Sequence, residues 1–221
     1  MSKLAELIGQ AQNPISRAPK RLRETPVTLA RERLLELEAL LHLRDGFVAL
    51  GGALVVRPSV TVAAVRGIED WNQITLWRKP YPKAAEVLFF AEDRFGQQFG
   101  LHKDSILAFD PVTGNTEHVA FSLDRWAEHV IDRPEALGQA RLAEWVEEHG
   151  PLSTTQRLQP RMPPGFDDDD ALGELRVLDD VDLMRRYSRL HAETRKAPGV
   201  LPEGFEQWWW DTSPSSGGGG E

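Results

Sequence analysis

Residues 86–131, EVLFFAEDRFGQQFGLHKDSILAFDPVTGNTEHVAFSLDRWAEHVI, carry the most regular pattern of apolar and polar positions in the chain. Val87, Leu88, Phe89, Phe90 and Ala91 form a continuous apolar run, as in a strand buried on both faces, and residues 97–101 alternate like a half-buried partner. A third strand is predicted at 106–109. Pro111 and Gly114 in the following DPVTG predict a tight turn, because Pro presets φ and Gly tolerates a positive one. Residues 116–121 return as a fourth strand. Ser122 then offers an N-cap oxygen to a helix whose Leu123, Trp126, Ala127, Val130 and Ile131 share one face. The whole reads as an antiparallel meander closed by a helix.

Upstream, residues 3–8 predict a short helix, and the Pro-interrupted segment after it is basic, with Arg17, Lys20, Arg21 and Arg23. Residues 1–26 are therefore expected to form an N-terminal arm. From Pro26 the pattern turns helical, with Ala30, Leu34, Leu37 and Leu41 on one stripe beside Leu40 and Gly46 as the stop. Residues 47–50 and 53–57 read as strands joined at Gly51 and Gly52. Residues 67–82 read as short helical or irregular structure whose Trp71, Trp77 and Tyr81 cover one end of the sheet. Downstream, Pro134 opens a helix over 135–149 that Gly150 and Pro151 end. A Pro- and Asp-rich loop follows at 160–170, then a strand at 174–178 and a helix capped by Asp180. Phe89, Phe90, Phe99, Phe109, Phe121, Trp126 and Trp145 are the expected aromatic core.

The segments FFAEDRFGQQFGL, FDPVTGNTEHVAFSL and DRWAEHV resemble the family named after the yeast cell-wall regulators Smi1 and Knr4, the SUKH superfamily. The likeness takes in LRDGFVALGGALVVRPS and IEDWNQITLWRK before them, and RLQPRMPPGF and ELRVLDDVDLMRRYSRLHAET after them. It rests on the order of elements rather than on catalytic residues. It implies an α+β fold, an antiparallel sheet of five or six strands flanked by helices, with a C-terminal strand–helix extension. The expected organisation is an arm over 1–26, a Smi1/Knr4-like domain over 27–200, and a tail over 201–221 that is first Trp-rich and then Gly-rich. Bacterial members of the family are mostly associated with immunity to polymorphic toxins. The resemblance therefore implies a protein that binds a cognate toxin and occludes it. An adaptor subunit of a larger assembly is the alternative.

With 41% hydrophobic and 27% charged residues, the chain has the composition of a soluble globular protein. No window is apolar enough to span a membrane, and residues 1–14 lack the apolar core of a secretory signal. A cytoplasmic location is expected. The absence of cysteine removes thiolate metal sites and a Cys nucleophile. A formal charge of -8 argues against nucleic acid as partner and favours a protein with a basic surface.

The chain has no nucleophile elbow, phosphate loop or dinucleotide fingerprint. The six histidines are scattered without metal-ligand spacing, so neither a metal nor a cofactor is expected. His102 and Asp104, with Glu92 and Asp93 across the meander, are the one acid/base group to weigh, against the simpler reading of solvated hairpin ends. Two features point to protein binding instead. Asp167, Asp168, Asp169, Asp170 and Glu174 form an acidic block that continues into Asp179, Asp180 and Asp182, with only Arg176 opposing it. Such a field steers a cationic partner, although acids at a helix N-terminus are also favoured by the macrodipole. Trp208, Trp209 and Trp210 need a cover. They either fold back onto their own domain or anchor another chain, including a second copy.

Overall fold

A computed structural model describes residues 2–166, 174–197 and 199–210. The chain is α+β, built on a six-stranded antiparallel sheet in sequential order. Its strands are β1 (Phe47–Ala49), β2 (Leu54–Val56), β3 (Leu88–Glu92), β4 (Gln98–His102), β5 (Ser105–Phe109) and β6 (Thr116–Ala120). Helices α1 (Lys3–Gly9), α2 (Arg31–Leu43), α3 (Ile68–Trp71), α4 (Leu123–Asp132) and α5 (Gln139–His149) surround it. A separate two-stranded sheet, β7 (Gln156–Pro160) with β8 (Leu175–Asp179), leads into α6 (Asp180–Thr194) and α7 (Phe205–Trp209). The meander, the helix after Ser122 and the strand–helix extension all form where the pattern places them, and the Ser122 side chain accepts the Arg125 N–H.

The two faces of the sheet bury different sets of side chains because residues along β3 alternate in direction. Leu88 and Phe90 enter a core with Leu37, Leu40, Phe99, Ile106, Trp126 and Val130, covered by α1, α2 and α4. Val87 and Phe89 enter a second core with Trp71, Trp77, Tyr81, Phe109, Leu183 and Tyr187, covered by α6. This explains the unbroken apolar run. The sheet face on which Trp71, Trp77 and Tyr81 lie is also where glycine is required: a Cβ at Gly100 would overlap Val87 and Phe89. Gly114 takes φ +72° in the turn after β5, against the His191 ring.

Several expectations are corrected by burial. The N-terminal arm packs on the domain: Leu7 is buried in the first core, and Leu4 N–H donates to Asp124 in α4. Residues 134–149 split into a 3-10 turn (Pro134–Leu137) and α5, because Gly138 adopts a left-handed conformation. Phe121 is not core but 63% exposed, since β6 ends at Ala120 and the chain turns outward before α4.

The largest departure is electrostatic. Glu92 is fully buried, not at a solvated hairpin end. Its Oε1 is shared by Arg57 and Arg157, the latter at 2.6 Å, and its Oε2 accepts Gln98 Nε2 at 3.0 Å. Arg57 also bonds Asp180 at 2.8 Å, and its guanidinium carbon lies over Trp71, 3.3 Å from the ring centroid. Asp180 thus faces inward, and although it opens α6 the N-cap position is Asp179. Burial raises the Glu92 carboxyl, but Arg157 and Arg57 outweigh that cost and hold it below the ordinary carboxylate range. The network joins β2, β3, β4, β7 and α6.

Removing one partner from a buried ion cluster strands the others. Glu92→Gln should lower unfolding free energy by about 3 kcal/mol or more, leaving the buried Arg157 guanidinium without its paired carboxylate and Arg57 with Asp180 alone. Denaturant unfolding measures this; a loss below about 1 kcal/mol would show that the cluster contributes little to folding.

Candidate protein-binding face

Of the predicted acidic block, Asp167, Asp168, Asp169 and Asp170 lie outside the described residues, while Glu174 sits exposed just before β8. Arg161 N–H donates to the Glu174 carbonyl at 2.8 Å, extending the β7–β8 ladder by one pair. Across that pair the Arg161 guanidinium bonds the Glu174 carboxylate at 3.1 Å. Both side chains are more than half exposed, so this ion pair positions the strand ends more than it stabilises them.

Arg161 is also the link to the tryptophans. Trp209 is fully buried in the second core, 5.3 Å from Tyr187 and stacked on Phe205. Its indole N–H is shared between the carbonyls of Pro160 (3.1 Å) and Arg161 (2.9 Å). The Trp209 carbonyl accepts Gln159 at 2.9 Å, Arg176 at 2.5 Å and Arg186 at 2.7 Å. Arg176 donates to the Trp210 carbonyl as well, with its guanidinium 4.6 Å from that ring. Trp208 lies under Arg189, 4.3 Å away. The cluster therefore folds back onto its own domain, and Arg176, noted in sequence only as the lone cation among acids, helps to hold it there with Gln159 and Arg186. Trp208 and Trp210 remain half-exposed.

Glu174 and Trp210 consequently share one face. A hollow of about 340 Å³ is lined by Arg161, Glu206, Gln207 and Trp210. A second, of about 360 Å³, is lined by Glu174, Leu175, Arg141, Glu144, Trp145, Glu148 and His149. In the second the Trp145 and His149 rings stack at 4.7 Å and 8°, because residues four apart on α5 stand over one another. Three carboxylates and one guanidinium surround this aromatic step, giving a negative rim on an apolar floor. Glu144, Glu148 and the stack were not singled out from sequence; the signal available was the EWVEEH run at the end of α5.

The acid/base group does not assemble. β3 and β4 are antiparallel with Glu92 opposite Gln98, so Glu92 and Asp93 lie at the 93–97 turn, whereas His102 pairs with Ser105 at the far end. His102 has Glu86 for a neighbour at 3.7 Å. Among the described residues no three His, Asp or Glu side chains converge as a metal site would require. Asp93 is buried at the turn, where its Oδ1 accepts the N–H groups of Phe95 (2.8 Å) and Gln97 (3.0 Å). Burial outweighs these bonds and pushes its carboxyl up to about 7.

No protein-family model matches the chain, and no curated protein matches it. Among solved structures it is similar to Atu4351 from Agrobacterium tumefaciens, at 10% identity and a TM-score of 0.51 over 82% of this chain and 86% of that one. At this identity the likeness concerns the fold. No helix among the described residues is long and apolar enough to cross a membrane.

Two measurements follow from the geometry. Trp209→Ala empties a packed site and strands the carbonyls of Pro160 and Arg161, so a loss of about 3 to 5 kcal/mol in denaturant unfolding is expected; under about 1 kcal/mol would mean the segment is not part of the core. For Asp93 the folded carboxyl titrates near 7 and the unfolded one near 3.8. Its contribution is fully present below the unfolded value and is lost as pH rises through the folded one. Asp93→Asn keeps the acceptor oxygen without the charge, so its stability relative to wild type should rise between about pH 4 and pH 7. A difference independent of pH would show that Asp93 titrates normally.

Proposed function

We propose that this protein is a non-catalytic binding module, an immunity protein of the Smi1/Knr4 type that occludes a cognate toxin in the cytoplasm. The observation that carries this reading is the face on which Glu144, Glu148 and Glu174 ring the Trp145–His149 stack and pass, through Arg161, to Trp210. Half-exposed aromatics beside carboxylates that are paired only at the surface, Glu144 with Arg141, Glu148 with His149 and Glu174 with Arg161, suit a partner that presents arginine and lysine among apolar side chains, since aromatic anchors supply affinity and charge supplies approach rate and selectivity. A toxin acting on nucleic acid has such a cationic groove, and an acidic face fills it in place of phosphates. The buried state of Glu92, Arg57, Arg157 and Asp180 supports a structural role for the strongest charge cluster in the molecule, leaving recognition to the surface. The family resemblance in the meander and in the C-terminal strand and helix supports the choice of immunity over other binding roles.

The test is titration calorimetry with the products of the neighbouring genes, paired with protection of cells expressing any that is toxic. Glu144→Lys, Glu148→Lys and Glu174→Lys combined should weaken binding by roughly 100-fold or more and abolish protection, while the fold, read by circular dichroism, persists. Undiminished affinity would remove this face from the interface. Tight binding to a neighbour without toxic activity would favour the adaptor alternative.

A further inference from the structure

Between β2 and α3 the chain makes a closed finger. Ile68 N–H donates to Pro58 O at 2.9 Å, Gly67 N–H to Thr61 Oγ1 at 3.0 Å, and Val62 and Val65 exchange both backbone bonds at 2.9 Å. The two limbs touch at Gly67, where a Cβ would overlap the backbone of Val60 and Thr61. The tip, Val62, Ala63, Ala64 and Val65, carries no polar side chain, although Ala63 and Ala64 are exposed. Two-residue hairpin turns normally use Asn, Asp or Gly, which are well solvated and tolerate a positive φ. Ala63 takes φ +51° with neither advantage. Turn chemistry therefore does not account for an apolar tip.

A basic strip crosses the base of this finger. Ser16 N–H donates to Asp45 O at 2.9 Å, Lys20 N–H to Ser59 Oγ at 2.9 Å, and the N–H groups of Arg23 and Glu24 both donate to Glu69. Leu22 is buried, so the backbone of 16–24 is fixed while Arg17, Lys20, Arg21 and Arg23 stand exposed. Among the described residues none of these four side chains meets a carboxylate within ion-pair distance. Glu24 is the one acid in 17–24. The carboxylates at the foot of the second limb are engaged, Glu69 by those backbone groups and Asp70 by the Thr61 hydroxyl. In a chain of formal charge -8 this strip is a local inversion of sign.

We propose that the finger and the strip form a peripheral docking surface for an anionic lipid bilayer. The apolar tip enters the interfacial region and the cations at its base meet headgroup phosphates, the division of labour of a surface-bound amphipathic element. The Val62–Val65 bonds serve this role, because backbone groups carried out of water must already be paired. A nucleic acid would engage the cations but leave the tip in water, and it would be met by stacking aromatics, of which the tip has none. A protein interface of this size would be centred on Trp, Tyr or Arg anchors, and the tip offers only Val and Ala. The overall negative charge does not prevent contact, since at physiological ionic strength its field decays over about 8 Å; it orients the molecule with the basic strip forward. This surface shares no residue with the acidic face proposed above and does not depend on it.

Flotation of the full chain with unilamellar vesicles of phosphatidylcholine, alone or with about 30% phosphatidylglycerol, tests this at about 50 mM salt and again at about 300 mM. The expected result is binding to the anionic vesicles and not to the neutral ones, weakened about tenfold or more at the higher salt. Lys20→Glu/Arg21→Glu should weaken binding by about 20-fold or more, since each cation near such a surface is worth about fivefold. Ala64→Trp should strengthen it about tenfold, because an indole favours the membrane interface. Lys20, Arg21 and Ala64 are exposed, so folding is not at issue. No binding to anionic vesicles at low salt would overturn the proposal, as would equal binding to neutral ones. Indifference to Lys20→Glu/Arg21→Glu would remove the strip from the contact, and indifference to Ala64→Trp would remove the finger; either result overturns the surface as proposed. Binding to a labelled oligonucleotide in place of the vesicles would overturn it equally.

Discussion

The fold depends on one buried carboxylate. Glu92 stands at the end of β3 with no access to water, and everything that neutralises it comes from elsewhere in the chain: Arg57 from the end of β2, Arg157 from β7, Gln98 from β4. Arg57 in turn reaches Asp180 and covers Trp71, whose indole donates to Gln98. None of these ions tolerates isolation at this depth. The two-stranded sheet and α6 therefore have one position in which the charges close, and hydrophobic contact alone would not specify it. Arg94 completes the seam by donating to the carbonyls of Gly52, Ser153 and Gln156, which ties the 50–52 turn to the approach to β7.

The C-terminal segment repeats the same logic with neutral acceptors. Short α7 ends in carbonyls that a helix of its length cannot satisfy internally, and Arg176, Arg186 and Gln159 bond them. Trp209 is the apolar half of that attachment and Trp210 its exposed margin. Because its indole bonds the Arg161 carbonyl while the Arg161 side chain bonds Glu174, the tail, the β7–β8 hairpin and the acidic rim form one connected assembly. The rim around Glu174 and Trp210 is thereby held by the second core, and of the two sheet edges the chain covers β1 with backbone bonds from Gln12, Ile15 and Ser16.

How far the sequence reads into this follows from the range of each signal. The apolar run at 87–91 specified burial on both faces, and Leu88 and Phe90 on one side with Val87 and Phe89 on the other confirm it. The DPVTG turn and the Ser122 cap are contacts within a few residues, so they are written where they act. The buried ion cluster spans residues 57 to 180, and no local pattern distinguishes Glu92, buried, from Asp104, which lies in the solvated β4–β5 turn. Phe121 was misplaced for a related reason: strand alternation does not say where pairing stops. The face has the same history, since Glu174 and Trp210 were each visible as anomalies but their neighbourhood was not.

Taken alone, the sequence determined the elements, their order, the α+β class, the two-faced core and the net negative charge, because periodicity, turn chemistry and composition act locally or by sum. The tertiary structure decided which charges are structural and which face water, that Trp209 is an internal anchor, and that Glu174, Trp145 and Trp210 belong to one surface. Those outcomes depend on burial and on pairs distant in sequence, and the free energy of an ion or an indole changes sign with its surroundings. Only the folded chain supplies the surroundings.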